Sequence, residues 1–164
     1  MKKIFLLCMT IVFLLPALAL VHSMPREEMY VGGVGAGCTL GYAKLIYGEP
    51  MDRDYFCGDG VRVIKYIFTP EFIVTGRTWA GDTRDEEELE IVSFSLRDSS
   101  LSTPSGFTVG SSYEKLIEYF GYGEEMKIGG RRCYIYQAAG SPVEMSFYVD
   151  DNDIITEIYE GTEL

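Results

Sequence analysis

Hydrophobic and polar positions along this chain follow two periods, and each period is met twice. Over Val143–Val149, apolar Val143, Met145, Phe147 and Val149 alternate with Glu144, Ser146 and Tyr148, the pattern of a strand with one buried face. Residues 131–137 alternate too, Cys133 and Ile135 against Arg132, Tyr134 and Tyr136, and a last strand is predicted over 154–159. Upstream, residues 55–57, 61–69, 72–79 and 89–96 read as strands. The period lengthens over Tyr113–Phe120, where Tyr113, Leu116, Ile117 and Phe120 form one helical stripe. Ser111 and Glu114 predict a capping box for that helix, and Gly121 a left-handed stop. Leu40, Ala43 and Tyr47 predict an equivalent but weaker helix, interrupted by Lys44 and weakened at Gly41 by about 1 kcal/mol against alanine.

The two helical segments are also copies of one pattern. Residues 37–48 run from Gly37 through Cys38-Thr39 to Tyr47-Gly48, and residues 110–121 run from Gly110 through Ser111-Ser112 to Phe120-Gly121, without a gap and at an offset of 73. Each is followed by strand-like segments. The expected organisation is therefore α+β: two tandem modules, residues 24–98 and 101–164, each a helix followed by an antiparallel meander, with the helices packed on one face of the sheet. Residues 24–36 form a glycine-rich lead-in, and residues 98–105 connect the copies.

The first 23 residues read differently. Lys2 and Lys3, an apolar run from Ile4 to Leu15, Pro16 and then small residues have the order of a secretory signal peptide, cut after Ser23 or after Ala19. Pro16 ends the run short of the roughly 20 apolar residues that a spanning helix needs. No cysteine stands at either cut, so the expectation is a secreted or periplasmic cell-envelope protein without a lipid anchor or a stable membrane span.

Charge and residue inventory then exclude classes of function. The net charge is −11, and loss of residues 1–23 leaves 12 basic and 25 acidic side chains, a balance of −13. That argues against nucleic acid, which needs a basic stripe, and favours a basic protein partner. His22 is the only histidine, so a cut after Ser23 removes Ser-His and Cys-His nucleophiles and histidine-ligated zinc from consideration. No local motif marks a catalytic site, a cofactor or a metal. The glycines at 32–37 lack the Lys-[Ser/Thr] ending of a phosphate loop, and the acidic runs 82–88 and 150–153 read as solvated turns rather than calcium sites. Cys38, Cys57 and Cys133 are an odd set, read as small buried hydrophobes, with a Cys38–Cys57 bridge as the alternative.

A helix introduced by Gly-x-[Ser/Thr], closed by [Tyr/Phe]-Gly and followed by an antiparallel meander, here duplicated, resembles the β-lactamase-inhibitor-protein-like fold. Its single-copy relatives are the small BamE-like envelope lipoproteins. Residues 37–50, ending Gly48-Glu49-Pro50, are the nearer match, and the second copy lacks that proline. The resemblance implies a noncatalytic exported protein that binds another protein on its exposed sheet face. β-Lactamase inhibition does not carry over, because no inhibitory loop can be matched residue by residue.

Placing Cys133, Ile135 and Phe147 against the helix predicts a tyrosine-rich opposite face of Arg132, Tyr134, Tyr136, Glu144, Tyr148 and Tyr159, with Tyr66, Arg77 and Trp79 as the first module's share. Gly37, Gly48, Gly110 and Gly121 carry structural roles at the helix ends. The predicted function is an exported binding module for a protein partner. A carbohydrate or small-ligand binder on the same aromatic surface is the first alternative, and a carboxylate-based hydrolase the second.

Overall fold

A computed structural model describes residues 22–162. Its elements are β1 (Ser23–Met24), α1 (Leu40–Tyr47), β2 (Asp52–Gly58), β3 (Val61–Thr69), β4 (Phe72–Trp79), β5 (Ile91–Leu96), α2 (Tyr113–Phe120), β6 (Glu124–Ile128), β7 (Arg131–Ala138), β8 (Val143–Val149) and β9 (Ile155–Thr162), with 3-10 turns at Arg26–Glu28 and Glu86–Glu88. The class is α+β. One nine-stranded sheet runs β2-β3-β4-β5-β9-β8-β7, and β6 and β1 share the far edge of β7. All pairings are antiparallel except the short one between β1 and β7.

Each helix is followed by four strands, and the fourth strands, β5 and β9, pair with each other at the centre of the sheet. The helix starts are anchored alike. Leu40 donates its N–H to the Leu89 carbonyl at 2.9 Å and Ile91 donates to Cys38 at 2.8 Å; Tyr113 donates to Asp153 at 2.8 Å and Ile155 to Ser111 at 2.9 Å. The hairpins after the helices are also alike. Asp59-Gly60 and Gly129-Gly130 all have positive φ, the requirement of the two-residue turns that match strand twist.

The helix ends correct two expectations. Thr39 caps α1, accepting the Tyr42 N–H at 3.1 Å, whereas α2 has no side-chain cap: Ser111 Oγ instead accepts the Thr108 N–H at 3.1 Å. The capping box fails because the Ser111 hydroxyl is engaged by the Thr108 N–H and Ser112, at the cap position, makes no side-chain bond to the helix. Gly48 and Gly121 do have positive φ, 83° and 80°, but their ψ values of −163° and −171° lie in the glycine-only extended region rather than in the left-handed helical one. Gly121→Ala is therefore expected to lower stability by about 1–3 kcal/mol, read as a lower denaturation midpoint; an unchanged midpoint would contradict this backbone assignment.

Two sequence features that look like flaws turn out to be one contact. A Cβ on Gly41 would lie 2.9 Å from the Glu87 carbonyl oxygen, so glycine lets the Glu86–Glu88 turn dock against α1. Lys44 then pairs with Glu87 at 2.5 Å and Glu49 at 3.1 Å, which raises its pKa, and Arg53 pairs with Glu86. The acidic run at 82–88 is not simply a solvated loop. Residues 150–153 do form a turn, closed by Asp150 Oδ1, which accepts the N–H groups of Asn152 and Ile154 at 2.8 and 2.9 Å; these bonds hold its pKa low.

Strand register assigns the two faces. Tyr134, Phe147, Ile158, Leu96 and Phe72 lie in one row across the sheet, and Tyr136, Met145, Glu160, Phe94, Val74 and Tyr66 in the next. This core face meets Tyr113 of α2, stacked on Tyr134 with ring centroids 3.4 Å apart, and Leu40 of α1, which fills the space a Cβ on Gly76 would need. The three cysteines among the described residues are free: Cys133 is buried as expected, but Cys57 is exposed on edge strand β2 and Cys38 is half-buried.

Candidate functional site on the outer sheet face

The register that fills the core face leaves a different set of side chains on the outer face. Cys133, Tyr148, Glu157 and, beyond it, Arg97 form one row. Ile135, Ser146, Tyr159, Ser95 and Ile73 form the next, and Gln137, Glu144, Gly161, Ser93 and Thr75 a third. The middle of the face is paved with small residues. Long side chains stand around it, so the face is hollowed over β7, β8 and β9. That hollow has a volume of about 320 Å³ and is lined by Ile128, Ile135, Glu144, Ser146, Tyr148, Tyr159 and Gly161. Gly161 has a local reason to be glycine, since a Cβ there would sit 2.8 Å from the Tyr159 ring, which lies along β9.

The Tyr148 wall is fixed by charge. Glu157, only 4% exposed, receives Arg131 Nη1 at 2.6 Å, Ser95 Oγ at 2.8 Å and Arg97 Nε at 3.3 Å. Burial alone would raise the Glu157 pKa, but the hydrogen bonds from Arg131, Ser95 and Arg97 together outweigh it and hold the carboxylate charged. Arg131 in turn lies 4.2 Å from the centre of the Tyr148 ring, a cation–π contact. A buried carboxylate thus orients a guanidinium, and the guanidinium orients the aromatic wall. Burial raises the pKa of Tyr148, so the phenol stays neutral.

The residues expected on this surface are divided. Tyr148 and Tyr159 line the hollow, and Arg77 and Trp79 are on the outer face in the other half of the sheet, separated from β8 by β5 and β9. Trp79 is 66% exposed and folds over Gly81, where a Cβ would lie 1.8 Å from the indole. Tyr66, Tyr134 and Tyr136 are corrections: all three are on the core face and buried. Their hydroxyl-bearing rings fit there because partners exist, the Glu86 carboxylate at 2.9 Å for Tyr66 and the Gly121 carbonyl at 2.8 Å for Tyr136, while Tyr134 stacks on Tyr113. Arg132 is turned from the hollow as well, donating to the Asp150 carbonyl at 2.9 Å and pairing with Asp153 at 2.7 Å. Glu144, placed on this face by the sequence pattern, lines the hollow, while Ile135, Ser146 and Ile128 are lining residues that sequence reasoning did not place in the site. The signal available for Ser146 was the parity it shares with Tyr148.

One carboxyl has a strongly raised pKa, and it is elsewhere. Glu160 is fully buried on the core face, its Oε1 accepting the Ala36 N–H at 2.7 Å and its Oε2 without a hydrogen-bond partner. Burial pushes its pKa up to about 8, offset in part by the Ala36 bond. Among the described residues no group of three or more histidine, cysteine or carboxylate side chains is arranged to hold a metal ion.

No protein-family model matches the chain, and no curated protein sequence matches it. Its likenesses are to solved structures. A cysteine-rich secretory protein of Staphylococcus aureus superposes with a TM-score of 0.55 at 11% identity, over 86% of this chain and 49% of that one, so this chain spans about half its length. A DUF4309-family protein of Bacillus subtilis gives 0.49 at 12% identity, over 87% and 88% of the two chains. A Streptococcus mutans protein named as a candidate beta-lactamase inhibitor gives 0.32 at 11% identity, over 86% and 90%. At 11% identity, what the S. aureus likeness shows is a shared fold.

Proposed function

We propose that this chain is an exported, noncatalytic binding module that engages a protein partner through its outer sheet face. The observation that carries the reading is the preorganised hollow between Tyr148 and Tyr159, set in a broad face that also presents Trp79 and Arg77. Tyrosine, tryptophan and arginine are the side chains that dominate interface energies. A volume of about 320 Å³ is at the bottom of the range of small-molecule sites, and the surrounding face is broad, which favours a protein surface over an enclosed ligand. The noncatalytic reading is supported by Glu157, both of whose oxygens are taken by Ser95, Arg131 and Arg97, and by the position of Glu160, whose raised pKa belongs to the core face and not to the site.

The module is read as a tandem of the inhibitor-protein-like kind, both helices lying over the core face. The offset of 73 between α1 and α2, the paired helix-start hydrogen bonds and the central β5–β9 pairing support duplication. Export is supported by the secretory name of the S. aureus likeness and by the leader-like residues 1–23, of which 1–21 lie outside the described residues. The His22 carbonyl accepts the Gln137 N–H at 2.9 Å, and Met24, itself buried, accepts from Ala139 at 3.0 Å. Those bonds favour the cut after Ala19, which keeps β1 whole. Among the described residues no helix is long and apolar enough to cross a membrane.

Affinity capture from the organism's own envelope fraction tests the reading. Mature protein is expected to retain a protein that the double variant Tyr148→Ala/Tyr159→Ala loses while keeping its circular dichroism and melting profile. Retention of every captured protein by that folded variant would overturn the assignment of the outer face.

A further inference from the structure

We infer that the protein forms a symmetric dimer in solution through strand β2, whose outer edge pairs antiparallel with β2 of a second copy. The two edges of the sheet are unlike. On the far side β7 is covered by β6 and β1, whereas β2 pairs only with β3, and among the described residues no strand meets its outer edge. An open strand edge carries a row of backbone donors and acceptors that another extended backbone completes. The usual protections are missing from this one. β2 is seven residues long, pairs with β3 without a bulge and contains neither proline nor lysine. Its charges, Asp52, Arg53 and Asp54, are gathered at one end, and the other end presents Tyr55 and Phe56, each more than half exposed.

The sequence of β2 fits itself. Pairing two copies antiparallel about Phe56 sets ring against ring at the centre, Tyr55 against the second copy's Cys57, and Asp54 against the second copy's Gly58. Arg53 then falls opposite the second copy's Asp59, an opposite-charge pair, whereas pairing about Asp54 would oppose two carboxylates. The Arg53 N–H is already taken by Asp52 Oδ1 at 2.8 Å, which leaves the ladder to the uncharged end. Long-range charge does not oppose the contact there. The β2–β3 hairpin balances Asp52, Asp54 and Asp59 with Arg53, Arg62 and Lys65, and Glu86, which pairs with Arg53, adds one negative charge, against −11 for the whole chain. In this register odd residues meet odd and even meet even, so core face continues core face. The two outer faces then run on as one surface with both hollows on the same side.

Sedimentation equilibrium of the mature protein in reducing buffer, from about 10 μM to about 1 mM, tests the inference. A monomer–dimer equilibrium with a dissociation constant below about 1 mM is expected. Phe56→Lys and Phe56→Glu each oppose like charges at the two-fold axis and should weaken the dimer about tenfold or more, with unchanged circular dichroism because the ring is exposed. Mixed in equal amounts, the two variants should recover the dimer through a Lys–Glu pair. Mature protein that stays monomeric at about 1 mM overturns the inference and leaves the edge to a strand of another protein. Undiminished dimerisation of the two single variants overturns it as well, and an equal mixture that stays monomeric overturns the pairing about Phe56.

Discussion

Replacing Glu160 by glutamine is expected to stabilise the protein in alkaline solution and to leave it nearly unchanged in mild acid. The carboxyl is fully buried between Phe94 and Met145, with one hydrogen bond from Ala36 and a second oxygen that has none. Arg26 and Tyr30 line the small space beside it, which has room for little more than a water molecule. Its pKa is pushed up to about 8 from an ordinary 4.5, so between those values the unfolded chain releases the proton and the folded chain keeps it. Folding stability must therefore fall as pH rises through that window, by about 1.4 kcal/mol for each pH unit, and level off above pH 8. Below pH 4.5 both states are protonated and the cost vanishes. Glutamine keeps the acceptor for Ala36 and cannot ionise, so its advantage should reach on the order of 4 kcal/mol at pH 9. Acid-side losses from Asp150 and Glu157, whose pKa values are held low, occur in both proteins and cancel in the comparison. Urea midpoints of the two proteins at pH 5 and pH 9 check this, and parallel pH curves would contradict it.

The second large effect is a contrast between aromatics that look alike in the sequence. Tyr136→Ala should cost about 3–5 kcal/mol, because the ring is fully buried against Phe120 and Phe147 and its hydroxyl holds the Gly121 carbonyl at the end of α2. Trp79→Ala, at a ring that is 66% exposed, should stay within about 0.5 kcal/mol. Tyr136→Phe isolates the hydroxyl and should cost about 1 kcal/mol. Equilibrium denaturation of the three variants ranks them, and the reverse order would mean that the faces of the sheet have been exchanged.

That contrast marks what could be read from the sequence. Strands with one apolar parity were legible: Met145, Phe147 and Val149 of β8 face the core as their alternation implies, and Tyr148 faces outward. On β7 both parities are apolar, since Cys133 and Ile135 alternate with Tyr134 and Tyr136, and period alone cannot choose between them. The larger aromatic pair is under α2, where the Tyr113 ring and the Gly121 carbonyl receive it, while Cys133 and Ile135 are on the outer face, where they are buried as well. Tyr66 was misplaced for a related reason, being paired by register with Val74 rather than with Arg77. Strand β6 was not legible, because Glu124–Ile128 is exposed along its whole length and its pattern answers to no buried face. Glu160 could not be foreseen either: its burial follows from the β9 register and from a glycine-rich segment that donates one N–H to it.

The most direct test of the outer face as a binding surface is hydroxyl-radical footprinting of its side chains. Amide exchange would be insensitive here, since β8 and β9 are already hydrogen-bonded on both sides. Mature protein alone and in complex with its captured partner would be oxidised in parallel and the modified residues read by mass spectrometry. Protection of Tyr148 and Tyr159, with unchanged modification of the exposed Tyr42, Tyr119 and Tyr122 on the helices and beyond α2, is the expected result. Protection confined to those three tyrosines, with Tyr148 and Tyr159 oxidised as in the free protein, would contradict it.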